Sequence, residues 1–283
     1  MKIGMNTLLF TAYFKDEHTK LFKKIKDIGF DGVEIALAAK GDFDYKRTAD
    51  AMRKQGLECA AICGMFGTDR DIRGPNKAYI KNGIQYSRDL IDCAKALGCE
   101  IAAGPSYSAV GRANMETPED RKVQWKTVVQ NLKEICKYAE DQGIYVALEP
   151  LNRFETDFMN ICGDAIRMIK EVGSPMLKVH LDTFHMNIEE KDSVQAILDA
   201  GDLLYHFHTS ENDRGTPGTG QVPWKGIAKA LKKIKYKRWV CIESFTPDNK
   251  IIAKAASVWR QTEKNEISLA EKGFKFLKEL LPN

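Results

Sequence analysis

The chain has no apolar run approaching the roughly 18 residues that a membrane-spanning helix requires. It also lacks a CxxC pair, so the usual thiolate spacing of a zinc site is missing. Its cysteines are odd in number, seven, which does not suit a disulfide framework. Cys59, Cys63, Cys93, Cys99, Cys136, Cys162 and Cys241 mostly lie inside apolar runs and read as small core residues in a reducing compartment. No GxGxxG turn follows a strand, since Gly4 sits inside the first apolar run without that spacing. No GxxxxGK[ST] loop occurs either, so nucleotide-driven chemistry has no support. An excess of one charge sign is nearly absent: 43 basic against 39 acidic residues leave +4, too little to imply a polyanion partner. The one basic cluster, Lys225 to Arg238, is interleaved with Ile227, Leu231 and Ile234 at helical spacing and reads as a solvated helix face. Met1–Asn6 shows no charged, greasy, small-residue pattern, so no signal peptide is visible and a cytoplasmic protein is expected.

What is present is regular. Hydrophobic residues make up 43% and charged residues 29%, which is ordinary for a globular protein and argues against disorder. Eight short apolar runs alternate with longer amphipathic stretches: 3–6, 32–36, 57–63, 99–103, 144–149, 177–182, 203–208 and 239–243. Several are almost continuously apolar, as parallel strands buried on both faces should be. The stretches between them follow the helical period. Leu21, Phe22, Ile25 and Ile28 share one face, and Gly29 ends that helix. Thr117-Pro118-Glu119-Asp120 supplies a cap, a proline at the first helical position and acids in the first turn. Val128, Val129, Leu132, Ile135, Cys136 and Ala139 mark the buried face of that helix, and Gly143 stops it. No Ser/Gly-rich linker divides the chain. Eight units of about 35 residues favour closure into a single (β/α)8 TIM barrel over residues 1–283, rather than an open doubly wound sheet.

A barrel of this kind places its active site at the C-terminal ends of its strands. Runs five to eight end in Glu149, Asp182, His208 and Glu243, separated by 26 to 35 residues, about one unit each. They would therefore lie side by side on half of the rim. A single acid at a strand end is ordinarily a loop residue or helix cap. Four in succession are harder to explain that way. Three carboxylates and an imidazole without a counter-ion would repel, and a divalent cation resolves this. Hard oxygen donors with one imidazole suit Mn2+, Mg2+ or Co2+. Just beyond the same ends lie Glu155, His185 and Arg214, each readable either as facing a polar substrate or as an ordinary loop charge. His180 and His206 precede Asp182 and His208 by two residues, which puts them on the same side one layer deeper, as core or supporting histidines. His18 reads as a surface residue early on a helix.

The stretches Glu149–Thr156, His180–Glu190 and Arg214–Gly220, the last followed by Val222-Pro223-Trp224, resemble the xylose-isomerase-like sugar isomerase/epimerase barrels. The likeness runs over essentially the whole chain and is strongest to the ketose 3-epimerases: D-tagatose, D-allulose (psicose) and L-ribulose 3-epimerases. It implies metal ligation by Glu149, Asp182, His208 and Glu243, with Mn2+ foremost and Co2+ or Mg2+ as alternatives. It implies contact of Glu155, His185 and Arg214 with the oxygens at the carbonyl end of a free ketose such as D-allulose, D-fructose, D-tagatose, ribulose or xylulose. It also implies a homo-oligomer, dimer or tetramer, with no nucleic-acid or membrane partner. Two stretches depart from the pattern. Val110 stands where the best-known members carry an aromatic residue, and Asn6-Thr7-Leu8-Leu9-Phe10 stands where they often have a tyrosine-rich run. Both would shape the far end of the sugar pocket.

Epimerisation at C3 of a 2-ketose needs a proton to leave one face and another to arrive on the opposite face. Glu149 and Glu243, on the fifth and eighth runs, are the expected acid and base, acting through an enediolate that the metal stabilises. The competing readings are an aldose–ketose isomerase such as hydroxypyruvate isomerase, an endonuclease IV-like metal phosphodiesterase, and a catalytically dead sugar-binding barrel. The phosphodiesterase chemistry prefers a histidine-rich site, and this chain has five histidines. Phosphorylated substrates stay open at this point, because barrels often bind phosphate in the loops after strands seven and eight, where Gly215–Gly220 lies.

Overall fold

The computed structural model describes residues 1–114 and 117–281. Each of the eight apolar runs forms a parallel strand: β1 (Lys2–Asn6), β2 (Gly32–Leu37), β3 (Glu58–Gly64), β4 (Ile101–Gly104), β5 (Tyr145–Leu148), β6 (Leu177–Asp182), β7 (Leu204–Thr209) and β8 (Trp239–Ile242). Neighbours in sequence pair in space, and β8 pairs back on β1 to close the barrel. The helices are α1 (Leu21–Ile28), α2 (Tyr45–Lys54), α3 (Lys77–Leu97), α4 (Pro118–Gln142), α5 (Cys162–Val172), α6 (Thr183–Glu189), α7 (Ser193–Ala200), α8 (Trp224–Lys233), α9 (Lys250–Ala255) and α10 (Glu266–Leu280). Among the described residues, no helix is long and apolar enough to cross a membrane.

Local chemistry explains the boundaries. Thr117 caps α4 by accepting a hydrogen bond from the Asp120 amide, and all six apolar residues expected on that helix face are buried. Gly29 and Gly143 follow α1 and α4 with φ of 120° and 71°, the region where a side chain would be strained. The basic stretch after Trp224 is a helix whose Ile227 and Leu231 are buried while its lysines are exposed. His18 differs from its expected place. It lies in a 3-10 turn, Asp16–Lys20, where its Nδ1 accepts a hydrogen bond from the Lys15 amide and its ring packs on Phe14.

Two strands end one residue sooner than their sequence suggests. Glu149 and Glu243 stand just past β5 and β8, although their amides still donate to Gly104 and Thr209 on the preceding strands. Pro150 has no amide to continue the ladder after Glu149, so regular pairing stops there. The ladder also shifts register at two interior points, between Val33 and Glu34 and between Val179 and His180. Such irregularities re-aim side chains, and here both fall beside polar residues that are completely buried.

Close approach fixes one glycine of the wall. A Cβ on Gly32 would lie 2.4 Å from the Glu58 carbonyl oxygen and 2.6 Å from the Trp239 ring. Neither neighbour is a flexible chain end. Gly32→Ala is therefore expected to lower unfolding free energy by about 1–3 kcal/mol, the usual cost of overpacking. Urea denaturation measures it, and an unchanged midpoint would show that the wall yields.

Candidate functional site

The four residues that end runs five to eight do converge. One ligand-capable atom each from Glu149, Asp182, His208 and Glu243 lies within 4.8 Å of the other three, and all four residues are buried. His208 Nδ1 stands 3.4 Å from Glu243 Oε2, 3.8 Å from Asp182 Oδ2 and 3.9 Å from Glu149 Oε1. Strand register explains part of this, because Asp182 pairs directly with His208 across β6 and β7.

Asp182 is both a helix cap and a member of the cluster, one oxygen for each. Its Oδ1 accepts the Phe184 amide at 2.6 Å at the start of α6, while Oδ2 faces His208 in the cluster. Burial alone would raise its carboxyl. Arg214, His185 and His208 outweigh burial and hold it below the usual carboxylate range. Glu149 goes the other way, pushed well up by burial and then by the charge of Glu243.

Arg214 sits deeper than a residue merely facing substrate. Its Nη1 donates to Asp182 Oδ2 at 2.6 Å and lies 3.2 Å from Glu243 Oε2. The three acids thus have one counter-charge, which the sequence argument from repulsion did not include. With that counter-charge the cluster, when its acids are ionised, is still net negative, which a divalent cation offsets. Arg214 holds this position with φ of 63°, a strained region for a non-glycine residue. Its amide donates to the Glu211 carbonyl and its carbonyl accepts from the Phe245 amide. His185, on α6, has Nε2 3.0 Å from Arg214 Nη2, and its Nδ1 accepts from the Asn152 amide at 3.1 Å. Burial and then the Arg214 charge keep this imidazole below its ordinary value, hence neutral. Glu155 is half-buried and accepts from the Asn152 amide side chain at 2.8 Å.

The residues present fit a divalent cation. Glu149 Oε1 and His208 Nδ1 are buried atoms without a hydrogen-bond partner, and they face each other across the cluster. The donor set is oxygen-rich with one imidazole and no thiolate, which suits a hard ion. Above it opens a cavity of about 510 Å³. Glu149, Glu155, His185, Arg214 and Glu243 line it beside the cluster, Leu8, Met65, Phe66, Val110, Phe245 and Ile252 add apolar wall, and Tyr13, Asp69 and Arg70 add further polar groups. Both stretches singled out for the far end of the pocket, at Leu8 and Val110, reach it.

Sequence reading missed two polar residues of the first two strands. Asn6, at the end of β1, donates its side-chain amide to Glu243 Oε1 at 3.3 Å, while its own Oδ1 accepts the Leu8 amide. Glu34, within β2, is completely buried and contacts both His206 and His208. The signal was there: a lone glutamate inside the apolar run Gly32–Leu37. His206 and His180 do lie beneath the cluster, with the His180 ring 4.1 Å from that of His208.

The glycine-rich loop after β7 is already occupied by a carboxylate of its own. Glu211, fully buried, accepts from the amides of Gly218 and Val222 and from the Trp224 indole, each at 2.9 Å. A Cβ on Gly220 would lie 2.2 Å from Asn212 Oδ1 and 2.6 Å from Glu211 Cγ, so this glycine makes room for both side chains.

A family model described as the xylose isomerase-like TIM barrel matches residues 22–280, and the chain belongs to that family. The probable ketose 3-epimerase of Synechocystis sp. is 30% identical over 279 residues, spanning 99% of this chain and 96% of its own. The ketose 3-epimerase of Arthrobacter globiformis is 33% identical over 266 residues, spanning 92% and 90%. Among solved structures, D-allulose 3-epimerase from Methylomonas sp. in complex with D-allulose matches with a TM-score of 0.91 at 29% identity, covering 99% of this chain and 96% of that one. These relatives are epimerases, and by that kinship the chain is an enzyme of the isomerase class.

Removing the Glu211 carboxylate strands two buried donors, the Val222 amide and the Trp224 indole, each costing about 1–3 kcal/mol, and the part-buried Gly218 amide. Glu211→Ala is expected to destabilise the protein by about 3 kcal/mol or more and to speed hydrogen exchange at the Gly218 and Val222 amides. Unchanged exchange at those two amides would contradict this anchoring role.

Proposed function

We propose that residues 1–283 act as a single catalytic domain, a divalent-cation-dependent epimerase that inverts C3 of free ketoses. The observation that carries this reading is the convergence of Glu149 and Glu243 from β5 and β8 into one buried cluster with Asp182 and His208, at the polar end of a cavity sized for a sugar. The full-length relatives named as ketose 3-epimerases support it, as does the D-allulose bound by the Methylomonas enzyme.

Glu149, Asp182, His208 and Glu243 would hold the cation, with Mn2+ foremost and Co2+ or Mg2+ as alternatives. A bound cation supplies Lewis-acid polarisation of the substrate's carbonyl, which acidifies the neighbouring C–H. In this scheme one glutamate removes the C3 proton and the other delivers a proton to the opposite face, so the roles exchange with the direction of reaction. Arg214, His185 and Glu155 would grip the oxygens at the carbonyl end. Neutral His185 can do so without adding a positive charge.

The occupied loop after β7 argues for free sugars over their phosphates. Its anion-binding donors at Gly218, Val222 and Trp224 are already satisfied by Glu211. Away from the acids, Val110 and Leu8 offer apolar contact, while Tyr13, Asp69 and Arg70 also line the cavity and bring polar groups to it. We further place the enzyme in the cytoplasm as a homo-oligomer. Its seven cysteines, all buried and unpaired, suit a reducing compartment.

Mn2+-loaded protein incubated with free ketopentoses and ketohexoses in D2O should yield C3 epimers carrying deuterium at C3. Aldose products, with exchange at C1 or C2, would instead establish an aldose–ketose isomerase, and turnover confined to sugar phosphates would overturn the free-sugar assignment. Glu149→Gln and Glu243→Gln should each lower kcat by at least about 100-fold, the lower range for a general acid or base. Chelation should abolish turnover, and Mn2+ should restore it.

A further inference from the structure

Glu34 lies in the interior of the barrel, inside a strand buried along its whole length. Its carboxylate bridges two imidazoles. His206 Nε2 is 2.8 Å from Oε2, and His208 Nε2 is 2.8 Å from Oε2 and 2.9 Å from Oε1. The register shift between Val33 and Glu34 accompanies this reach from β2 to β7. The other ring nitrogen of His208, Nδ1, has no hydrogen-bond partner and faces Glu243, Asp182 and Glu149 at 3.4 to 3.9 Å.

A neutral imidazole has one proton for two nitrogens, and only the unprotonated one can ligate a cation. Acceptors stand at both ends of His208: Glu34 at Nε2, and the three cluster carboxylates at Nδ1. Glu34 is the nearer by more than half an ångström, at 2.8 Å against 3.4 Å for Glu243. An ionised carboxylate accepts and cannot donate, so it draws the proton to Nε2 and leaves the Nδ1 lone pair toward the cluster.

We propose that Glu34 is a positioning residue that fixes the tautomer and ring orientation of His208, and so sets the cation affinity of the Glu149–Asp182–His208–Glu243 cluster. This rests on the reading of that cluster as a cation site. Glu34 itself touches neither cation nor sugar in this scheme. Its contact with His206 anchors it from the adjacent layer, since His206 lies two residues before His208 on the same strand and the same side.

Co2+ titration followed by visible absorption tests the proposal without using activity. Partners of this kind typically contribute 10- to 100-fold to metal affinity. Glu34→Gln, nearly isosteric but without the charge, should weaken Co2+ binding by about 10- to 100-fold and shift the d–d bands, with far-ultraviolet circular dichroism unchanged. A folded Glu34→Gln protein that binds Co2+ as tightly as wild type, with the same bands, overturns the role of Glu34 alone. A wild-type protein that binds no Co2+ overturns the cation reading beneath it. Should the variant fail to fold, long-range 1H–15N spectra of metal-free wild type decide the matter. They should show a proton on Nε2 of His208 protected from exchange, and a proton on Nδ1 with none on Nε2 would overturn the proposal.

Discussion

Glu149, Asp182 and Glu243 bring three carboxylates together where water cannot screen them. Two like charges about 4 Å apart repel by about 4 kcal/mol at an effective dielectric near 20. Whole domains are stable by only about 5–15 kcal/mol. An uncompensated trio would therefore consume much of the stability of the fold, and the surrounding residues follow from that constraint. Arg214 enters the cluster and contacts two of the acids, at the cost of a strained backbone. Burial biases Glu149 toward its protonated form. Asp182 spends one oxygen on the amide of Phe184, at the positive end of α6. Asn6 lends its amide to Glu243.

The loop that carries Arg214 shows how such a residue can be held in an unfavourable conformation. Four N–H donors of residues 212 to 224 converge on Glu211, three residues before Arg214. The Arg214 amide bonds to the Glu211 carbonyl, so the same glutamate anchors the loop through its side chain and the arginine through its backbone. A carboxylate fully ringed by donors inside a protein is a rigid object. That rigidity lets a left-handed arginine persist where a loose loop would relax.

The strands and the rim acids were legible in the sequence because both repeat. Eight apolar runs at a common spacing name the architecture, and a ligand-capable residue at the end of four successive runs can be seen without any contact information. Glu34 was not legible in the same way. It belongs to no repeat, and its meaning depends on which strand lies across the barrel from it. The depth of Arg214 was hidden for a related reason. Residue 214 takes a positive φ, which few non-glycine residues adopt and which no residue pattern announced. The glycines of the same loop misled in the opposite direction. They suggested an open cradle for an anion, whereas Gly220 makes room for Asn212 and the chain's own Glu211, Gly218 lies against Phe276, and Gly215 against Asp213 and Thr262.

Glu34 and Asn6 also change the apparent division of labour along the chain. The strand ends suggest that units five to eight hold the chemistry while units one to four complete the wall. The barrel interior contradicts that division, since β1 and β2 supply the polar partners of Glu243 and His208. Asn6 and Glu34 are register partners on those two strands. Closure of the barrel is what makes the pair useful. In an open sheet β2 would lie far from β7, but in a closed one it meets β7 across the interior. The closed topology thus does more than bury apolar surface. It allows residues 172 to 237 positions apart to meet at hydrogen-bond distance, on strands too well packed to drift.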